Sequence, residues 1–215
     1  MRAQEFVNEQ ELEEFSTTDK GIRSALEAKG YQFLGKGVDQ TAYLEPGTGL
    51  VLKVFGTQGN RRDFSPDQKM FFTWYDYCTN HSDNPFLPRF YGHDSFMWNN
   101  NRYLMIRTEP LKKTQGPIRF ALDDLGHKIR NWFTQYKNLT VKGFINSFQR
   151  NYPREYAILE KKLGVEGMPL MVSTLDELWK LGQSQGYHWD MHGGNFMQRS
   201  DGTPIINDPW VWTGR

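Results

Sequence analysis

The sequence predicts an α+β protein with two lobes, in which a mainly antiparallel sheet is followed by a mainly helical region. Two observations indicate this class. Short apolar runs bounded by glycine, proline and polar turns fill the first half of the chain, whereas apolar residues at helical spacing dominate from Pro117 onward. With 215 residues, 38% of them hydrophobic, the chain is long enough to bury a sizeable core.

Three segments are expected along the chain. Residues 1–29 should form a helical N-terminal extension, residues 30–110 a sheet-rich lobe and residues 111–215 a mostly helical lobe. Gly30 should end the last helix of the extension as its C-cap, because glycine adopts the left-handed conformation that this position requires.

Five strands and one main helix should build the sheet-rich lobe. Ser65 followed by Pro66 predicts the start of the helix, which should continue to Cys78. Turn sequences such as Glu45-Pro46-Gly47 separate the apolar runs. The strands are expected at residues 31–34, 41–44, 50–55, 89–93 and 102–107.

Helices should occupy residues 117–163 of the second lobe. Ser173 or Thr174 is a candidate N-cap for a further helix that runs from Leu175 to about Gly186. That helix should lead into the segment HWDMHGGNFMQRSDGTPIIND.

Composition excludes several classes of function. A net charge of +1 gives no indication of binding to nucleic acid or to an anionic membrane surface. The single cysteine, Cys78, cannot form an internal disulfide and fits a reducing compartment. No apolar run reaches 18 residues and the N-terminus is charged, so we expect a cytoplasmic protein.

The segment from His188 to Asp208 contains the residue types that phosphoryl transfer needs. Asp190 and Asn195 lie five residues apart, and Asp208 follows Asn195 by thirteen. Carboxylate and amide oxygens are hard ligands for magnesium, and a carboxylate beside the nucleophile can accept its proton. Gly193-Gly194 should allow the loop to turn back. A zinc site formed by His188 and His192 at helical spacing is an alternative that the adjacent glycines oppose.

A second candidate site lies upstream, where Gly35-Lys36-Gly37 follows a predicted strand. Glycines allow backbone amides to approach phosphate oxygens closely. Lys53 lies between apolar strand residues, where an ammonium group needs a partner. A plain tight turn and a solvent-exposed edge-strand lysine are the alternative interpretations.

Taken together, GYQFLGKGVDQTAY, VLKVF and WDMHGGNFMQRSDGTPIINDPW resemble the protein-kinase-like superfamily. More narrowly, they are similar to the compact Ser/Thr kinases of short-tailed bacteriophages. The resemblance covers about residues 30–110 and 172–212. It implies a two-lobed kinase fold whose second lobe is truncated, since the sequence given ends seven residues after Asp208. The loop H-x-D-x-H-x-x-N is also shared with aminoglycoside and choline kinases.

The resemblance also implies roles for individual residues. Asp190 would activate the acceptor hydroxyl, while Asn195 and Asp208 would hold Mg²⁺. Lys53 would contact the α- and β-phosphates of ATP and is counted with Asp190 and Asn195 as catalytic. The glutamate that pairs with this lysine in kinases has no counterpart between Glu45 and Glu109, and Asp67 is the nearest candidate to replace it. The residues implied in ATP binding are Gly35, Lys36, Gly37, Ala42, Lys53 and Glu109.

By this resemblance the expected function is ATP- and Mg²⁺-dependent phosphorylation of Ser or Thr on host proteins or on the chain itself, in the host cytoplasm. Two alternatives stay open. One is a small-molecule kinase, indicated by His192. The other is a pseudokinase that sequesters a host protein, indicated by the missing helix glutamate and the short second lobe. Trp210 and Trp212 are expected either to cover the core or to form a partner interface.

Overall fold

The computed structural model describes residues 19–36, 40–56, 64–98, 101–135 and 140–213. The chain is 49% helix and 24% strand, with an antiparallel sheet and five helices in the described ranges, which confirms the α+β class. The predicted helices before residue 19 lie outside the described residues. No helix in the described ranges combines the length and hydrophobicity needed to span a bilayer.

The chain divides into two compact units. The first combines the described residues up to Asn80 with Arg89–Pro110, and the second combines His81–Pro88 with the residues from Leu111 onward. The short segment 81–88 groups with the second unit because Arg199 donates hydrogen bonds to the Pro85 and Leu87 carbonyls. Asn84 Nδ2 also donates to Thr174 Oγ1 at 2.7 Å.

The first unit contains a five-stranded antiparallel sheet with the strand order β1-β2-β3-β5-β4. Each predicted strand is present, although the fourth extends well beyond its predicted end at residue 93. The strands are β1 (Gln32–Lys36), β2 (Gln40–Leu44), β3 (Val51–Phe55), β4 (Phe90–Trp98) and β5 (Asn101–Thr108).

Helix α1 (Asp19–Ala28) covers one face of this sheet. Its buried residues Ala25 and Leu26 join Leu52 and Val54 of β3 in one apolar cluster. Gly30 ends the helix with φ of 86°, and the Gly30 and Tyr31 amides donate to carbonyls of the last helical turn. The predicted glycine C-cap is therefore confirmed.

Helix α2 (Pro66–Asn80) packs on the opposite face. Ser65 and Gln68 form a capping box, in which each side chain accepts a hydrogen bond from the backbone amide of the other. The Phe71 ring lies 4.3 Å from the Phe55 ring, measured between centroids. Helices on both faces explain why apolar residues flank Lys53 on β3, since successive strand residues point to opposite faces.

A buried ion pair joins the turn after β2 to β5. Arg107 Nε lies 2.8 Å from Glu45 Oε1, and the two side chains are only 6% and 7% exposed. Thr48 Oγ1 and the Tyr31 hydroxyl donate to the same carboxylate at 2.7 and 3.1 Å. Burial acts to raise the pKa of Glu45, but these donors together hold it below its ordinary value.

The second unit is built on three helices, α3 (Pro117–Gln135), α4 (Val141–Asn151) and α5 (Pro153–Gln185). Helices α3 and α5 pack along each other. Their fully buried side chains form much of the core of this unit: Leu122, Leu125, Ile129, Leu159, Met171, Val172, Leu175 and Leu178.

The predicted helix start at Ser173 or Thr174 is wrong. Helix α5 begins at Pro153 and passes through both residues, with one break at Gly164, where φ is 76° and ψ is 173°. Thr174 Oγ1 donates to the Leu170 carbonyl at 2.8 Å, as a hydroxyl inside a helix does, and therefore caps nothing. The predicted end of the helix near Gly186 is confirmed.

Five short strands carry the chain through the rest of the second unit. Strands β6 (Lys112–Lys113), β8 (Phe196–Gln198) and β9 (Pro204–Ile206) form one sheet in the order β6-β8-β9. Strands β7 (His188–Trp189) and β10 (Trp210–Val211) form an antiparallel pair. The loop between β7 and β8 contains Asp190 and Asn195.

Candidate active site

In the first unit, three residues expected to contact ATP lie in one row across the sheet. Gly35 pairs with Ala42, Ala42 pairs with Lys53, and Lys53 pairs with Ile106 of β5. Directly opposite residues of antiparallel strands project from the same face. The register therefore brings Gly35, Ala42 and Lys53 together on the face of the sheet that α2 covers in part.

The two ends of this row differ in packing. Among the described residues, no atom lies within 4 Å of the point where a Cβ at Gly35 would stand. Lys36 is the next residue and pairs with Thr41, which pairs with Val54, so its side chain belongs to the opposite face. Gly37 lies outside the described residues.

Lys53 is half-buried, and its Nζ lies 5.8 Å from the centroid of the Phe71 ring. Burial raises the pKa of the Cys78 thiol well above its usual range, and the charge of Lys53 acts against that rise. Phe71 and Cys78 both belong to α2. Asp67 precedes Phe71 by one helical turn and therefore lies on the same side of α2. The pairing of Lys53 with Asp67 stays a prediction.

The carboxylate of Glu109 ties two strands together. Glu109 Oε1 accepts a hydrogen bond from the Arg89 amide at 2.9 Å, and the Glu109 amide donates to the Arg89 carbonyl at 3.0 Å. The residue is 8% exposed. Its side chain thus fixes the end of β5 against the start of β4. A nucleotide would therefore contact the backbone of Glu109.

In the second unit, the loop after β7 brings Asp190 and Asn195 into direct contact. Asn195 Nδ2 donates to Asp190 Oδ2 at 3.0 Å and to the Asp190 carbonyl at 2.7 Å. The Asn195 amide donates to the His192 carbonyl at 2.9 Å and closes the intervening turn. The Asp190 side chain is 42% exposed, so its carboxylate is accessible to a substrate while it is held in place.

Asp208 lies beside these two residues in the backbone network. Its predecessor Asn207 donates its amide hydrogen to the Asn195 carbonyl at 2.9 Å. Its successor Pro209 accepts a hydrogen bond from the Asp190 amide at 3.0 Å. Asp208 therefore lies between one residue that is hydrogen-bonded to Asn195 and another that is hydrogen-bonded to Asp190. The backbone segments that carry the three predicted side chains are thus neighbours.

Histidine side chains occupy the exposed rim of the loop. His192 Nε2 lies 3.9 Å from Asp190 Oδ2, and His192 Nδ1 accepts a hydrogen bond from the Gly194 amide at 3.0 Å. His188 belongs to strand β7 and is exposed. His188 lies in a strand and His192 in the turn that follows it, so the two histidines do not share the helix that a zinc pair at this spacing would need.

The donor set of the loop fits Mg²⁺. The Asn195 nitrogen is used within the loop, which leaves the amide oxygen as the atom that can bind a cation, and Asp208 supplies a carboxylate. In the described ranges, no group of three or more His, Cys, Asp and Glu side chains could hold a metal. Magnesium is commonly bound by one or two carboxylates together with phosphates and water, and that mode needs no larger cluster.

Residues outside the motif hold the loop, and no sequence pattern identifies them. Asp123 of α3 accepts a hydrogen bond from the Gly193 amide through Oδ1. Thr114 Oγ1, at the start of the unit, lies 3.0 Å from the Phe196 carbonyl and 3.4 Å from the Gly193 carbonyl. An aspartate and a threonine among ordinary helix and turn residues carry no distinguishing pattern, because their role depends on tertiary contacts.

Close packing fixes the strands on either side of the loop. Trp189 Nε1 donates to the Gly126 carbonyl at 3.2 Å. Trp210 is 3% exposed and its Nε1 donates to the Leu178 carbonyl at 3.1 Å, so it covers the core and is not a partner interface. A Cβ at Gly182 would lie 2.5 Å from that indole nitrogen, which shows how closely α5 approaches Trp210.

Comparisons with known proteins add no relative: no protein-family model matches the sequence, and no similar protein is found among the curated sequences.

Proposed function

We propose that the chain is an ATP- and Mg²⁺-dependent phosphotransferase, namely a compact Ser/Thr protein kinase of the protein-kinase-like, two-lobed type. One observation carries the proposal. The three residues Asp190, Asn195 and Asp208, predicted from residue type, spacing and the resemblance, arise from adjacent backbone positions, and two of them are in direct contact. A carboxylate, an amide oxygen and a second carboxylate are the groups that phosphoryl transfer requires.

The sheet of the first unit supports the same proposal. The row formed by Gly35, Ala42 and Lys53 combines two very small residues with one cation on a single face. Small residues let a triphosphate approach the backbone closely, and an ammonium group neutralises its charge. In the proposed reaction, this row binds the triphosphate of ATP.

The proposed roles follow from the chemistry of each group. The oxygen of the acceptor hydroxyl forms a bond to the γ-phosphorus as the bond from that phosphorus to the bridging oxygen of ADP breaks. Asp190 accepts the hydroxyl proton. Lys53 binds the α- and β-phosphates. Asn195 and Asp208 would hold Mg²⁺, which neutralises the charge that develops on the phosphates.

Transfer from γ-labelled ATP to proteins of a bacterial lysate tests this proposal. We expect labelled serine or threonine with the unaltered protein and at least about a hundredfold less label with Asp190→Ala, the usual loss when a general base is removed. Asp83→Ala is a matched control because Asp83 is exposed and lies outside the loop between β7 and β8. Asp208→Ala should behave like Asp190→Ala.

Equal transfer by Asp190→Ala and the unaltered protein would contradict the mechanism. Magnesium-dependent ATP binding without transfer to any acceptor, the protein itself included, would favour the alternative of a binding protein that sequesters a partner.

A small-molecule kinase is the second candidate, and the position of His192 favours it. The imidazole of His192 lies 3.9 Å from Asp190 Oδ2 at the rim of the loop. The same motif position is a histidine in the aminoglycoside and choline kinases that the loop resembles. Aminoglycosides and choline-like alcohols offered as acceptors in the labelled-ATP assay separate the two candidates, since only a small-molecule kinase would label them in preference to protein.

A further inference from the structure

Residues outside the loop contact both backbone polar groups of Gly193, its amide N–H and its carbonyl oxygen. On one side, the Asp123 carboxylate accepts the Gly193 amide hydrogen through Oδ1. On the other, Thr114 Oγ1 lies 3.4 Å from the Gly193 carbonyl and 3.0 Å from the Phe196 carbonyl. Thr114 is 2% exposed, so its hydroxyl is protected from competition with water.

Helix α3 also presses against this glycine. A Cβ at Gly193 would lie 3.2 Å from the Arg119 carbonyl and 3.2 Å from the Asp123 Cβ. A larger residue at this position would therefore require the helix or the loop to shift by a few tenths of an ångström, so the helix restricts where the turn can lie. Asn195 follows two residues later, and its side chain in turn holds the Asp190 carboxylate.

We propose that Asp123 and Thr114 are positioning residues for the phosphoryl transfer suggested above. They act through the Gly193 peptide on Asn195 and Asp190, and they touch neither nucleotide nor acceptor. This inference rests on the proposed function. It assigns a role to two residues that no motif of the sequence contains.

The proposed catalysis depends on the positions of the Asn195 and Asp190 side chains. Misplacement of reacting groups by about 1 Å can cost about a hundredfold in rate. The Gly193-Gly194 turn is conformationally permissive, so it keeps one geometry only if other groups hold it. Loss of the Asp123 acceptor would leave the Gly193 amide without its side-chain partner and allow the turn to shift.

The test compares Asp123→Ala with Asp123→Asn, whose side-chain oxygen can still accept the Gly193 amide hydrogen. We expect Asp123→Ala to lower kcat for labelled-phosphate transfer by about ten- to a hundredfold. The fall in kcat should exceed any change in the KM for ATP, because the proposed contacts of Lys53 with the phosphates do not depend on the loop. Asp123→Asn should recover most of kcat.

Two further variants make the result specific. Asp124→Asn alters the neighbouring aspartate of α3, for which no hydrogen bond to the loop is found in the described ranges, and should leave kcat unchanged. Thr114→Val keeps the shape of the side chain, removes its hydroxyl and should lower kcat with little change in KM. It provides a second reading if Asp123→Ala fails to fold, as judged by circular dichroism.

The outcomes separate this inference from the proposed function. If the unaltered protein transfers phosphate and Asp123→Ala and Thr114→Val match it, the positioning role is wrong and the kinase proposal stands. The role is also wrong if Asp123→Asn loses as much kcat as Asp123→Ala. If the unaltered protein transfers no phosphate, both proposals fall.

Discussion

At the scale of single residues, the amide of Asn195 matters most because it has two uses. Its nitrogen donates a hydrogen bond to Asp190 Oδ2 at 3.0 Å. This bond sets the orientation of the Asn195 side-chain amide and points its oxygen away from Asp190. The oxygen is the atom that suits Mg²⁺. One side chain would therefore both orient the carboxylate proposed to activate the acceptor and bind the proposed Mg²⁺.

The Glu45 carboxylate should give the stability of the first unit an acid dependence. Its pKa in the folded chain is lowered, so the stabilisation is complete above the ordinary pKa of a glutamate and is lost as the pH falls through the folded pKa. Glu45→Gln should reduce the free energy of unfolding by about 3 kcal/mol, since it removes the carboxylate that pairs with the buried Arg107. Urea unfolding between pH 7 and pH 3 measures both effects.

The comparison between pH values supplies its own control. The unaltered protein should lose stability as the pH falls, and the difference between it and Glu45→Gln should shrink toward the acid end. A difference that stays constant across the range would show that the ion pair with Arg107 adds nothing to the acid dependence.

At the scale of elements, close approach between α3 and the loop has a measurable consequence. A Cβ at Gly126 would lie 2.8 Å from the Met191 carbonyl oxygen, a backbone atom that cannot move aside alone. Alanine raises helix propensity by about 1 kcal/mol over glycine, but crowding of a packed core costs about 1–3 kcal/mol. Gly126→Ala should therefore lower the thermal unfolding temperature, and should also reduce phosphate transfer because Met191 adjoins Asp190.

Gly35→Ala is the matched glycine control for that experiment. Within the part of the chain that the structure describes, nothing lies within 4 Å of a Cβ at Gly35, so the substitution should change the free energy of unfolding by less than about 0.5 kcal/mol. If Gly126→Ala unfolds at or above the temperature of the unaltered protein, the close contact between α3 and the loop is wrong.

Local sequence signals predicted the elements of the first unit well. Ser65-Pro66 marked the start of α2, and Gly30 marked the end of α1, because caps depend on neighbouring residues. The same kind of signal failed at Ser173 and Thr174, which look like N-caps yet lie inside α5. Burial of this helix along α3 outweighs the capping preference of these two residues.

At the scale of the whole molecule, the sequence predicted the α+β class and the residues of the candidate site, but not their supports. Spacing identified Asp190, Asn195 and Asp208 because each carries chemistry. Asp123 and Thr114 stayed hidden, since a hydrogen bond to the Gly193 peptide arises only when distant segments meet. The pairing of Arg107 with Glu45 was missed for the same reason.

The central claim is the proposal that Lys53 binds the phosphates of ATP and that Asp208 helps to hold its Mg²⁺, and calorimetric titration of ATP tests it most directly. Lys53→Met should weaken binding by about tenfold or more whether or not Mg²⁺ is present, as expected when a charged hydrogen-bond donor is lost. Asp208→Asn should weaken binding only when Mg²⁺ is present. Binding unchanged by Lys53→Met, or an effect of Asp208→Asn that does not depend on Mg²⁺, would contradict the account.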